Sequence, residues 1–201
     1  MTLYLMHNAA GSGGVEKVVS DLALGFAQAG ETVEVVHVWG GTGATGTLTP
    51  RWVNWLSSRA ARHTSRMPLR RLIRSSPVLR RQLARRLRQQ VPDTPDNAIV
   101  AMDLEAGQVL ADAGFRRAPT VVQYHNSFRM LQSGNGLPLL AALAPNVDAT
   151  LMLTDEDWGA FSSAVPEAKG GHMRNPTRLE VATSSDPRAR EDLVIGLGRF
   201  E

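Results

Sequence analysis

The 201-residue sequence predicts an α/β fold built on a doubly wound parallel sheet. Short apolar runs alternate along the chain with amphipathic segments of helical period, which is the order that crossover helices between parallel strands require. The predicted strands are rich in valine and nearly continuous in apolar character, as expected where helices cover both faces of a sheet. At this length, one domain is the default expectation.

The first three elements form a βαβ unit, and later strands continue the alternation. Strands are predicted at about 2–6, 32–38, 98–102, 119–124 and 148–153, with a helix at about 15–29. Gly30 suits the C-terminal turn of that helix. Thr154 suits the N-cap of a later helix. Asp103 follows the third predicted strand and is expected to cap another helix rather than to act on a ligand.

A glycine loop joins the first strand to the first helix, in the order Gly11-Ser12-Gly13-Gly14-Val15-Glu16-Lys17. Adjacent glycines let the backbone approach a ligand, and the free N–H groups of a helix start favour an anion such as phosphate. Glu16 stands where a dinucleotide fingerprint needs its third glycine, and Lys17 lacks the neighbours of a P-loop lysine. NAD binding and P-loop ATP hydrolysis are therefore excluded. The alternative is a tight turn in which Glu16 complements the helix dipole.

Composition excludes several classes of protein. The sequence has no cysteine, which removes disulfides, thiolate metal ligands and thiol nucleophiles together. No apolar run approaches the roughly 18 residues of a membrane span. Because His, Asp and Glu form no cluster with metal-ligand spacing, neither a protein-held metal nor a cofactor is expected. These features favour a cytoplasmic protein.

Four short motifs follow one another in a characteristic order. They are Gly-Gly-Val-Glu at 13–16, His125-Asn126 after a middle strand, Asn175-Pro176, and Gly198-Arg199 near the last residue. Together they resemble the N-terminal half of the retaining GT-B glycosyltransferases of family 4, and the likeness covers essentially the whole chain. The resemblance implies a three-layer Rossmann-like domain that forms one half of a GT-B fold.

The resemblance also implies an activity, which is transfer of a hexosyl-type sugar from a nucleotide-sugar donor to a hydroxyl acceptor with retention. His125 would then be catalytic, hydrogen-bonding the transferred sugar, although a histidine satisfied by local backbone groups is the alternative. The substrate-binding residues would be Gly13, Gly14, Glu16, Asn126 and Arg199. Arg199 would neutralise the diphosphate, a role that suits a fixed guanidinium.

The same resemblance divides the chain into domains. Residues 1–191 would form the N-terminal, acceptor-side domain, and residues 192–201 the first strand of a second domain that holds the nucleotide. The phosphate-binding lysine and the Glu-x7-Glu motif of that domain are not among the 201 residues. We therefore expect an incomplete site and no activity from this chain alone. The alternatives are a noncatalytic membrane- or nucleic-acid-binding module, and half of a GT-B sugar-nucleotide epimerase.

A basic helical insertion is predicted at about 51–91, where twelve arginines occur without an acidic residue. Leucine and isoleucine keep helical spacing through it, and Ser76-Pro77 divides it as an N-cap and a first helical residue. A solvated surface is the simplest interpretation. The second interpretation is binding to an anionic membrane surface at the inner membrane face, because some membrane-associated GT-B enzymes have a similar element. The residues that would bind it are Arg80, Arg81, Arg85 and Arg86. Nucleic acid is unlikely, since no aromatic stacking platform accompanies the charge.

Overall fold

The computed structural model describes residues 1–8, 14–38 and 76–176 of the chain. Within these ranges the strands are β1 Thr2–His7, β2 Thr32–His37, β3 Asn97–Ala101, β4 Thr120–Gln123, β5 Ala149–Met152 and β6 Gly170–His172. The helices are α1 Gly14–Gln28, α2 Pro77–Gln90, α3 Leu104–Ala113, α4 Phe128–Ser133, α5 Gly136–Leu143 and α6 Asp155–Ala164, with one 3₁₀ turn at Ala144–Asn146.

The strands form one sheet in the order β2-β1-β3-β4-β5-β6, and each neighbouring pair is parallel. The chain passes from β1 to β2 on one side and then crosses to β3 on the other, so the direction of winding reverses between β1 and β3. In open sheets of this kind, ligands bind outside the carboxyl ends of the strands at the point of reversal. The predicted doubly wound parallel sheet is confirmed.

Two apolar clusters cover the two faces of the sheet and make the fold three-layered. On one face Leu3 and Leu5 pack with Val18 and Val19 of α1. On the other face Tyr4 and Met6 belong to a larger cluster that includes residues of α2, α3, α5 and α6. The alternation of β1 side chains between these clusters follows the period of two of a strand, and the sequence prediction of three layers is confirmed.

Helix α2 is the described part of the predicted basic region. The Ser76 hydroxyl accepts a hydrogen bond from the Leu79 N–H at 3.3 Å, and Pro77 opens the helix, as the sequence predicts. Leu83 and Leu87 are almost fully buried in the larger cluster. The apolar stripe of α2 is therefore part of the protein core. The earlier part of the region, from residue 51 to 75, lies outside the described residues.

The short strand β6 is absent from the sequence prediction and depends on a glycine. Gly170 has a φ of +144°, and a Cβ at this position would collide with the backbone of Thr150 in β5. The Thr150 N–H donates to the Lys169 carbonyl at 2.7 Å, which starts the pairing of the two strands. Only glycine permits this close approach, and β6 in turn places the residues that follow it at the edge of the sheet.

Candidate functional site at the carboxyl edge of the sheet

The predicted site residues Gly14 and His125 lie at the same edge of the sheet. Gly14 begins α1 on the carboxyl side of β1, and His125 comes two residues after the end of β4. Since β3 lies between β1 and β4, the two strand ends are about 10 Å apart, which is two strand spacings. This edge includes the point where the winding reverses, so the structure places both residues where the fold favours a ligand.

His125 is half-buried, and its two ring nitrogens have different surroundings. Nδ1 is 3.0 Å from the side-chain oxygen of Asn175. Nε2 is buried and has no hydrogen-bond partner among the described residues. Burial lowers the pKa of His125, and the bond to Asn175 acts in the opposite direction. The imidazole is consequently neutral at pH 7.

Two sequence motifs that are 50 residues apart meet at this histidine. Asn175, of the Asn-Pro motif, follows β6. Met173, two residues before it, is hydrogen-bonded to the sheet. The Met173 N–H donates to the Met152 carbonyl at 2.8 Å, and the Gln123 side-chain amide donates to the Met173 carbonyl at 3.4 Å. This contact could not be predicted from the sequence, because nothing local in the Asn-Pro motif indicates which residue it contacts.

Asp103 is the N-cap of α3, as predicted, and it also holds the end of β1. Its carboxylate accepts from the Ala106 N–H at 2.9 Å. The same group accepts from the backbone N–H of Asn8 at 2.9 Å and from the Asn8 side-chain amide at 2.7 Å. Asn8 is buried, and sequence analysis missed it because a single asparagine after a strand has no distinguishing pattern. The contact fixes the point at which the chain enters the glycine loop.

A pair of histidines occupies the neighbouring strand ends. His7 and His37 are register partners in β1 and β2, and their ring centroids are 4.7 Å apart. Burial, reinforced by the adjacent His37, lowers the pKa of His7 to about 4. Burial also lowers the pKa of His37. Both rings are therefore neutral at pH 7 and pack at the edge of the sheet.

The other predicted site residues divide into three groups. Glu16 lies half-buried in the first turn of α1, and Asn126 is exposed beside His125. Gly13 and Arg199 lie outside the described residues.

The basic residues of α2 are not at this edge. Arg81, Arg85 and Arg88 line a groove of about 370 Å³ together with Asp112 and Ala113, which lie at the far end of α3.

Arg80, one of the arginines of the predicted membrane surface, makes an ion pair with α3. Its guanidinium Nε is 3.0 Å from the Asp112 carboxylate, so its charge is paired within the protein. Arg81, Arg85 and Arg86 are exposed.

Among the residues that the structure describes, no group of three or more metal-binding side chains occurs. Within the same ranges, no helix is long and apolar enough to cross a membrane.

The fold is a Rossmann-like α/β domain, a class of fold in which ligands generally bind at the carboxyl edge of the sheet. The profile of Glycosyltransferase Family 4 matches residues 12–156, and the chain belongs to this family. This match confirms the resemblance to family 4 that the sequence motifs indicate. No curated protein sequence matches the chain significantly.

Two of the solved structures with a similar fold illustrate the likeness. The crystal structure of TarM superimposes with a TM-score of 0.64 at 7% identity, covering 92% of this chain and 63% of that one. The crystal structure of HepE from Anabaena in complex with UDP-glucose gives a TM-score of 0.52 at 17% identity, covering 88% of this chain and 44% of that one. At these identities the likeness concerns the fold alone. The chain spans less than two thirds of the length of either structure.

Proposed function

We propose that the chain is the acceptor-side domain of a glycosyltransferase that moves a hexosyl-type sugar from a nucleotide-sugar donor to a hydroxyl acceptor with retention. One observation carries the proposal: the neutral His125 stands at the carboxyl edge of the sheet in a family 4 chain, and its buried Nε2 has no hydrogen-bond partner among the described residues. The family match supports a transferase over the epimerase and the noncatalytic binding module.

The residues at the edge supply two kinds of contact. The backbone N–H groups at the start of α1, from Gly14 onward, have no partners within the helix and favour an anionic group such as the donor diphosphate. A Cβ built on Gly14 meets no atom of the described residues within 4 Å. His125 and Asn126 would face the sugar. Departure of the diphosphate would leave positive charge on the sugar, which a neutral hydrogen-bond acceptor tolerates.

The nucleotide would bind mainly to a second domain in the proposed enzyme. UDP-glucose is the ligand named for HepE, of which this chain spans less than half. Arg199 would neutralise the diphosphate at the boundary of that domain, together with the lysine that the family resemblance implies. The nucleotide sugar is the substrate, and we propose no protein-held metal or cofactor.

The test is calorimetric titration of the 201-residue chain with UDP-glucose and other nucleotide sugars. We expect dissociation constants of about 1 mM or weaker, or about 4 kcal/mol of binding free energy at most, because in the proposed enzyme most nucleotide contacts come from a second domain. The chain should show no transfer activity. Binding in the micromolar range would show that the donor site lies within residues 1–201.

An anionic membrane surface is the partner we propose for α2 in a cytoplasmic enzyme that contacts the inner membrane face. The helix has five arginines and no acidic residue, and its leucines are already buried in the core. Contact with a membrane would therefore be electrostatic rather than insertion of an apolar face. Each exposed arginine near an anionic bilayer contributes about 1 kcal/mol.

Replacing Arg81, Arg85 and Arg86 together by glutamine should weaken binding to anionic vesicles about a hundredfold, because about 3 kcal/mol of attraction is removed. Vesicles of neutral lipid should not bind the unaltered chain, and salt should release the anionic ones. The measurement is vesicle co-sedimentation. The control replaces three exposed cations elsewhere, Lys17, Arg129 and Lys169, by glutamine, which changes the net charge equally.

The control variant should retain binding if the arginine surface of α2 is the docking site. Equal losses in the two variants would show that net charge alone is responsible. Affinity for duplex DNA equal to that for anionic vesicles would likewise contradict a membrane surface and leave a nonspecific polycation.

A further inference from the structure

We infer that Asn175 is a positioning residue that holds His125 in the tautomer with its proton on Nδ1, so that Nε2 presents a lone pair to a hydroxyl group of the sugar. The inference rests on the proposed function for the identity of the hydroxyl as a sugar's. The tautomer itself follows from the protein alone.

The geometry of the pair selects the tautomer. The Asn175 side-chain oxygen lies 3.0 Å from Nδ1 and can only accept a hydrogen bond, so Nδ1 must donate. A neutral imidazole has one donor and one acceptor nitrogen, which leaves Nε2 as the acceptor. Turning the amide around would instead put a proton on Nε2, where it would be a buried N–H without a described partner. Buried N–H groups without a partner are rarer in proteins than under-satisfied acceptors.

The segment that carries Asn175 is fixed by the sheet rather than by the histidine. β6 pairs with β5 through Gly170, and the Met173 backbone bonds to Met152 and Gln123. Pro176 restricts the backbone of Asn175 to extended conformations. Asn175 therefore reaches His125 from an anchored position, as a residue that sets a ring orientation must.

The tautomer determines which part of a nucleotide sugar can contact His125. A lone pair at Nε2 accepts from a hydroxyl group but repels the oxygens of a phosphate, which carry only lone pairs and negative charge. Burial keeps the ring neutral, so the ring does not become a cationic phosphate ligand at pH 7. The sugar, and not the diphosphate, is thus the group that fits at His125.

The test is the tautomer of His125 in the ¹⁵N-labelled 201-residue chain, read from long-range ¹H–¹⁵N couplings of the imidazoles at pH 7.5. Its signals are assigned from their loss in His125→Gln. We expect a protonated Nδ1 and an unprotonated Nε2. Asn175→Ala should shift population toward the Nε2-protonated form and lower the pKa of His125. Asn175→Asp should keep the proton on Nδ1 and raise that pKa, because it retains the acceptor and adds negative charge.

The control is Arg174→Ala, an exposed neighbour in the same segment, which should leave both tautomer and pKa unchanged. A protonated Nε2 in the unaltered chain would overturn the inference. So would an Asn175→Ala protein, folded by circular dichroism, whose tautomer and pKa match the unaltered chain. The samples contain no sugar or donor, so the result is independent of whether the chain belongs to a transferase.

Discussion

Replacing Leu83 by alanine is expected to lower the free energy of unfolding by about 2–5 kcal/mol, the usual cost of truncating a buried leucine. Leu83 is 1% exposed and lies in the middle of α2, within the larger apolar cluster. The substitution would leave a cavity between α2 and its neighbours that the packed core fills only in part. Urea unfolding followed by circular dichroism measures the change.

The matched control is Val78→Ala in the same helix. Val78 is 65% exposed, so its truncation should change stability by no more than about 0.5 kcal/mol. If Leu83→Ala cost as little as Val78→Ala, the leucine stripe of α2 would not be core. The leucine stripe could then contact a membrane, and the proposal that α2 binds membranes by charge alone would be wrong.

Replacing Asp103 by alanine should cost about 2–4 kcal/mol, because one substitution removes a helix cap and leaves the buried backbone N–H of Asn8 without its acceptor. The carboxylate serves the Ala106 N–H and both nitrogens of Asn8. Asn8 is 4% exposed, so its amide would lose a partner that water cannot readily replace. The end of β1, which leads into the glycine loop, should become less well fixed as a result.

Asp112→Ala is the comparison for this effect. Asp112 lies near the other end of α3 and makes a surface ion pair with Arg80, and such pairs contribute about 0–1 kcal/mol. Asp103→Asn should give an intermediate loss, since an amide offers one acceptor oxygen in place of two. Equal destabilisation by Asp103→Ala and Asp112→Ala, measured by thermal unfolding, would show that Asp103 does not hold β1 to α3.

The sequence predicts the regular part of the fold well for local reasons. These features depend on residues that are close together in the sequence. They are the apolar runs of the strands, the helical spacing of apolar residues in α1, and the N-caps Ser76, Asp103 and Thr154. The same reasoning misses α4 and α5, which are short and are interrupted by Gly134, Gly136 and Pro138. It also misses β6, whose first two residues are glycines and carry no apolar alternation.

The site was predictable only in part, because its key contact is not local. The position of His125 after a strand, together with the family motifs, identifies the residue. Its bond to Asn175 joins positions 50 residues apart and depends on β6 lying beside β5. The ion pair of Arg80 with Asp112 shows the same limit on the charged surface, since it joins positions 32 residues apart on two different helices.

Chemical-shift mapping of the labelled chain with millimolar UDP-glucose tests most directly whether a sugar binds at the carboxyl edge of the sheet beside His125. We predict weak binding, with shift changes clustered at Gly14, His125 and Asn126 and lost in His125→Gln. Shift changes confined to the arginine groove between α2 and α3, or a pattern unaltered by His125→Gln, would contradict the claim.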